Sequence, residues 1–321
     1  MKSLEEFLIL TQKELFRALQ NHYKGHTIIG ENSYILVQGK APIMLIAHLD
    51  TVHQNPVQQI CKTENGNILM SPQGIGGDDR CGVYALVKTY EMSPIKPWLL
   101  FTCDEEIGGI GARMFCTDHI GNKLPKEVDK LKLLIEIDRK GKNDAVYYDC
   151  DNQNFEKYIT NKGFKTAYGS FSDISYIAPE LGIAAVNLSS GYYNAHTLYE
   201  HINRKYLNST IQKVTEIVAD ATKSNFLKYE YVKKVHCDWG DWELYGGSPK
   251  KVKITQSNQP KLKNIPDGIR EEYSALLEFY TEKELEDIRG LYGDGAILML
   301  FDTELGDYNG SYQDEEENKS V

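Results

Sequence analysis

The chain predicts an α/β fold, a three-layer α/β/α sandwich around a mostly parallel mixed sheet, followed by a C-terminal extension. Three observations lead to this class. Short apolar runs that read as buried strands, such as IMLIAH and LKLLIEI, alternate with longer stretches of helical period. Histidines and acids gather where those runs end, the place at which a parallel or mixed α/β sheet binds its ligand. After residue 224 the chain changes character, becoming rich in Gly, Lys, Asn and Pro.

Taken in order, the segment MKSLEEFLILTQKELFRALQ carries an apolar stripe at Leu4, Leu8, Leu15 and Leu19 with acids between, and predicts one amphipathic helix over 3–20 rather than a signal peptide. A hairpin around GENS is expected within 27–38, then a strand at 43–49, a helix at 81–92, a strand at 97–103 and a helix at 110–117. Strands follow at 131–137 and 144–149, helices at 152–162 and 172–178, and a strand at 183–188. The last helix, 203–223, has Leu207, Ile211, Val214, Val218 and Ala221 as its buried stripe.

Composition narrows the function classes. In 321 residues, 41% apolar content is ample for a buried core. A net charge of −10 argues against nucleic acid as a partner. No run approaches the ~18 apolar residues that span a bilayer, so no membrane segment is expected. The six cysteines form no CxxC pair and read as reduced thiols of a cytoplasmic protein, with Cys81 and Cys103 near enough to the acidic motifs to be sensitive to oxidation.

The chemistry concentrates in five short settings: AHLDTVH (47–53), GIGGDDRCG (74–82), TCDEEIGG (102–109), IEIDRKG (135–141) and NAHTLYEH (194–201). They offer His48, Asp78, Glu106, Asp138 and His196 as metal ligands. His48 and Asp50 are two apart, so on a strand they leave one face, and Asp50 can take the second N–H of a ligating imidazole. Adjacent Glu105 and Glu106 reach one site only if the strand has ended, which Gly108, Gly109 and Gly111 permit. Three carboxylates in one cleft would repel each other and be pushed toward protonation unless cations neutralised them, and the charge count favours two divalent ions. Mixed histidine and carboxylate ligation suits zinc, with Mn2+ or Co2+ admissible by ligand chemistry.

On these motifs the chain resembles the co-catalytic zinc exopeptidases, the clan of leucyl aminopeptidase, tripeptidase T, carboxypeptidase G and the glutamyl aminopeptidases. The resemblance spans about residues 40–220. It implies that Asp78 bridges two zinc ions, that His48 and Asp138 or Glu106 divide between them, and that His196 completes the second. It further implies Glu105 as general base and a cis peptide between Asp78 and Asp79. The implied activity is hydrolysis of amide bonds, as an aminopeptidase on short peptides. An N-acyl amino acid deacylase or carboxypeptidase is the alternative within the class, and a peptidase-like binding or assembly subunit the alternative outside it. The Asp50–Asp78 and Asp138–His196 intervals are too short for the lid and accessory domains that some relatives insert, so a bare catalytic domain is expected at 1–223.

Other residues have competing readings. Tyr192 and Tyr193 could line the substrate pocket or hydrogen-bond an oxyanion, but tyrosines near a sheet edge are usually packing residues. Thr197 and Glu200 form a T-x-x-E pattern and are read as the capping box of a helix. Ser172 and Asp173 are read as an N-cap, His53 and His201 as surface or supporting residues. Arg80 and Arg139 either bind a substrate carboxylate or balance the acidic cleft. Beyond the domain, 224–268 reads as linker-like, with Trp239 and Trp242 as anchors, 269–311 as a helical extension and 312–321 as an acidic, disordered tail. A protein partner or self-association is expected through 224–321.

Overall fold

The wholly buried run Ile43–His48 forms a strand at the centre of an eight-stranded sheet. The computed structural model describes residues 3–234, Gln54 and Ser170 excepted, together with Tyr273, Leu276, Leu277, Leu285, Glu286, Arg289 and Ile297. In chain order the first elements are α1 (Leu4–Leu8), α2 (Gln12–His22), β1 (Thr27–Gly30), β2 (Tyr34–Val37), β3 (Ile43–His48), β4 (Cys61–Lys62) and β5 (Ile68–Met70). Then come α3 (Gly77–Met92), β6 (Trp98–Thr102), α4 (Ile110–Ile120), β7 (Leu133–Arg139), β8 (Asp144–Val146), α5 (Gln153–Asn161) and β9 (Lys165–Thr166). The domain closes with α6 (Ile174–Leu181), β10 (Ala185–Ser189), β11 (Tyr192–Tyr193), β12 (His201–Asn203) and α7 (Arg204–Ala221).

The large sheet has the order β1-β2-β6-β3-β7-β10-β8-β9. Its central strands β6, β3, β7 and β10 run parallel, while β2 against β6 and β8 against β10 are antiparallel. Side chains alternate across it. Ile43, Leu45 and Ala47 pack with Phe7, Leu15, Leu86 and Val214 on one face, and Met44 and Ile46 with Phe115, Ile174 and Ile177 on the other. Because helices cover both faces, the central strands are apolar at nearly every position. The carboxyl ends of β3, β6, β7 and β10 then lie side by side, which brings residues distant in sequence to one rim.

The first helix departs from expectation. A single helix over 3–20 gives way to α1 and α2, because Thr11 accepts from the backbone of Glu14 at 3.3 Å while the Glu14 carboxylate takes the Thr11 N–H at 3.0 Å. That reciprocal cap starts a new helix instead of continuing the old one. Four short strands, β4, β5, β11 and β12, form a second antiparallel sheet absent from the sequence reading, since two or three residues carry no legible period. Strand β7 runs to Arg139, which places Asp138 at its end.

Beyond α7 the chain stays on the domain. Tyr229 donates its N–H to the Lys132 carbonyl at 2.8 Å and its own carbonyl accepts from Ala184 at 2.9 Å, and Asp151 N–H reaches the Val232 carbonyl at 2.7 Å. Phe226 and Tyr229 join Tyr158 in an aromatic cluster. The compact unit therefore runs past the compositional change at 224, to the last described residue of this stretch, Lys234. In the extension, Tyr273, Leu276, Leu285 and Ile297 are helical and buried. Residues 235–268 and 298–321, and with them Trp239, Trp242 and the acidic tail, lie outside the described residues. No described helix is long and apolar enough to cross a membrane.

One packing contact gives a pH test. His119 on α4 sits between Glu180 of α6, 2.7 Å from Nδ1, and Asp129, 2.9 Å from Nε2. Partial burial alone would lower the imidazole pKa, but the two carboxylates outweigh it and raise it. A raised folded-state value means the stabilisation is complete below the unfolded histidine value of about 6.5 and disappears as pH rises through the folded value. Thermal unfolding of His119→Gln is expected to show a Tm below the parent at pH 5.5, with the gap closing by pH 9; a gap that widened with pH would refute the pairing.

Candidate metal centre

His48 is the last residue of β3, and its buried ring is held from behind by Asp50, whose Oδ1 lies 3.2 Å from Nδ1. Asp50 also accepts the backbone N–H groups of Glu105 at 3.1 Å and Glu106 at 3.0 Å. One carboxylate thus orients the imidazole and anchors the turn that follows β6. In that turn Asp104 has φ 58°, and Gln12 grips it twice, donating to Oδ1 at 2.8 Å and accepting its N–H at 3.3 Å. The strand has ended before the paired glutamates, so both face the same centre.

Asp78 enters from the glycine loop at the start of α3, and its peptide to Asp79 is cis. Its Oδ1 lies 3.1 Å from His48 Nε2 and its Oδ2 3.3 Å from His196 Nε2. Asp138 Oδ1 is 3.5 Å from His48 Nε2, and Glu106 Oε2 is 3.1 Å from His196 Nε2. Among the described residues three groups of candidate ligands have their ligand atoms within 4.8 Å of one another: His48–Asp78–Asp138, His196–Asp78–Glu106 and His48–Glu105–Glu106. Asp138 is grouped with His48, while Glu106 is grouped with both histidines. His48 and Asp78 are buried and Asp138 partly so, whereas the His196 side chain is half exposed.

The donor set fits divalent cations. Glu106 Oε1 and Asp138 Oδ1 are buried without a hydrogen-bond partner, an arrangement that costs free energy unless a cation satisfies it. Without cations, burial chiefly, with Asp138, Asp173 and Glu106 adding, pushes Glu105 up to about 9. Burial and Asp78 push Asp138 to about 8. Asp78 falls well below the carboxylate range, because hydrogen bonds from His196 and His48 overcome its burial. Those same acids, Asp78 and Glu106, raise His196 to about 10. The protein by itself balances this charge only by sharing protons.

A polar layer supports the ligands. Asn187 accepts the Asp138 N–H at 2.9 Å and donates to its Oδ2 at 3.4 Å, and Tyr192 donates its hydroxyl to the Asp138 carbonyl at 2.7 Å. Tyr192 is therefore a strut, and Tyr193 stacks on His201 with centroids 5.3 Å apart. Ser172 and Asp173 do not cap. Both are buried, Ser172 donating to Glu136 Oε2 and Asp173 accepting from Thr102 Oγ1, because buried acids beside them need donors more than the helix end does.

Arg80 is buried and spends its guanidinium on the carbonyls of Leu49 and Leu10. Arg139 keeps a buried Nε without a partner. Cys81 and Cys103 are buried, and burial pushes the Cys103 thiol up to about 12, so the sensitivity to oxidation expected of them is not supported.

The T-x-x-E pattern at 197–200 is not a capping box. Residues 194–200 make turns, and α7 begins at Arg204, where Asn203 accepts from Lys205 and Tyr206 N–H. Glu200 turns inward instead. It accepts the N–H of Gly76 at 3.0 Å, of Asp78 at 2.9 Å, and His53 Nε2 at 2.7 Å. Sequence reasoning missed it because the pattern is identical to the true box at Thr11–Glu14.

A cleft of about 560 Å³ adjoins the centre, bordered by Asp50, Asp104 and Glu106 and by Leu10, Val52 and Ile107. The candidate ligands lie at the carboxyl rim of a mixed sheet covered on both faces. Solved structures agree at the level of fold. Aminopeptidase PepT from Bacillus cereus matches at 14% identity and TM-score 0.52, covering 68% of this chain and 97% of that one. A tripeptidase from Staphylococcus aureus matches at 15% and 0.52, covering 68% and 96%. The TET aminopeptidase of a marine sediment Thaumarchaeota archaeon matches at 12% and 0.52, covering 67% and 95%. No family model matches the chain, and no curated protein matches it by sequence.

Proposed function

We propose that this chain is a metal-dependent exopeptidase, an aminopeptidase acting on short peptides. The observation that carries the reading is Asp78, whose two oxygens serve two separate histidine–carboxylate sets while Glu105 Oε2 stands 4.0 Å from His48 Nε2. When bound, a pair of divalent cations, zinc by ligand chemistry with Mn2+ or Co2+ also suited, supplies Lewis acidity that polarises the amide carbonyl and acidifies water. His48, Asp78 and Asp138 would hold one cation and His196, Asp78 and Glu106 the other. Glu105 lies at the same centre and carries the mobile proton on its carboxylate, taking it from water and delivering it to the leaving amine. Asp50 keeps Nε2 of His48 turned inward and the 104–106 turn in place.

The cleft supports an amine-terminal substrate. Asp104, in its lining, keeps a carboxylate oxygen for a free ammonium group, whereas Asp50 is committed to His48 and the 105–106 backbone and Arg80 to backbone carbonyls. The names aminopeptidase and tripeptidase on the structural neighbours point the same way. Arg139 supports a second reading, since its unpartnered Nε beside Asp138 could take the carboxylate of an N-acyl amino acid or a carboxyl-terminal residue. A substrate panel separates them. Aminoacyl amides and short peptides with free amino groups are expected to turn over, N-acetylated counterparts are not, and a chelator abolishes the rate until zinc is restored. Turnover confined to N-acyl substrates, lost in Arg139→Ala, would establish the second reading instead.

A further inference from the structure

Glu200 is fully buried, yet its three partners are all N–H groups rather than lysine or arginine side chains. A buried carboxylate is tolerated only where donors satisfy it, so this one holds its surroundings tightly. Two of the donors, the Gly76 and Asp78 N–H groups, straddle Gly77 and lie at the start of α3, where orphan N–H groups and the helix dipole favour negative charge. Oε1 takes Asp78 and Oε2 takes Gly76, so the carboxylate spans the loop that presents the shared ligand.

The glycines of GIGGDD are shaped to this contact. Gly76 has φ 62°, a region side chains disfavour, and a Cβ at Gly77 would stand 3.1 Å from Glu200 Oε1 and 2.8 Å from the Tyr192 Cβ. A Cβ at Gly74 would collide with the His53 ring, the third donor to Glu200. Backbone and carboxylate meet because no side chain intervenes.

Glu200 lies at the end of the 194–200 loop that carries His196, while its grip is on the loop that carries Asp78. Through His53 it also touches the segment that follows Asp50. Since Asp78 serves both ligand sets, any rotation of its backbone disturbs both together. We propose that Glu200 is the positioning residue of the bridging carboxylate, so that its loss weakens the two cation positions in parallel. This rests on the two-cation reading above.

The test is cation binding, independent of turnover: Zn2+ by competition with a chromophoric chelator and Co2+ by its d–d absorption. Partners standing behind metal ligands are worth about 10–100-fold in affinity. In Glu200→Ala both dissociation constants are expected to rise by that order. Glu200→Gln, which keeps volume and one acceptor, should raise both by a smaller factor. His196→Ala, by contrast, should cost one cation and spare the other. Should Glu200→Ala not fold by circular dichroism, Glu200→Gln and Gly77→Ala carry the test, and both must weaken both positions. Parent-like constants in the folded Glu200 variants, or loss of one cation alone, overturn the proposal. A parent protein that bound no divalent cation would instead overturn the two-cation reading, a distinguishable result.

Discussion

Replacing Glu105 with glutamine is expected to lower kcat by about 10²–10⁴-fold, the usual worth of a positioned general base, while leaving the cation content unchanged. The amide fills the same volume and keeps an oxygen, but it cannot take a proton. Glu105 faces the centre, its Oε2 4.0 Å from His48 Nε2, and under the proposed two-cation reading Asp138 and Glu106 complete the ligand sets while Glu105 is left for proton transfer. Its environment supports proton transfer: burial and nearby acids hold the proton on Glu105 to about 9 without cations, and positive charge beside it would bring that value down toward neutrality. Steady-state rates alongside elemental analysis decide the matter. A variant with full metal and an unchanged rate would remove Glu105 from the chemistry.

Asp78→Ala should have the larger effect on binding, because Asp78 belongs to two of the three candidate ligand groups. Cation content is expected to fall below one per chain and turnover to vanish. Stability gives a second readout, since a ligand bound only by the folded state stabilises it by about 4 kcal/mol at a thousand times its dissociation constant. A chelator should therefore lower the Tm of the parent markedly and leave that of Asp78→Ala almost unmoved. Asp138→Ala, which touches one set, should retain part of the chelator response. Equal responses in parent and Asp78→Ala would show that the shared carboxylate holds no cation.

The convergence of the candidate ligands was legible because strand periodicity and sheet topology are local and general rules. His48 and Asp50 share a face by spacing alone, and acids at the ends of apolar runs converge wherever a mixed sheet aligns its carboxyl ends. The supporting layer was not legible. Thr197 and Glu200 match the pattern of Thr11 and Glu14, yet one pair caps a helix and the other sends its acid inward to the Gly76–Asp78 loop. Ser172 and Asp173 likewise look like a cap and are claimed by Glu136 and Thr102.

By itself the sequence determined the α/β class, the strands that carry the site and the identity of its five candidate ligands, since each follows from burial period and from which side chains can bind a cation. Only the tertiary structure decided that Asp138 stands next to His48 and Glu106 next to His196, and that Glu200 accepts from the Asp78 N–H. The reason is physical: a buried polar group bonds whichever donor the fold brings within reach, and that neighbour lies far away along the chain.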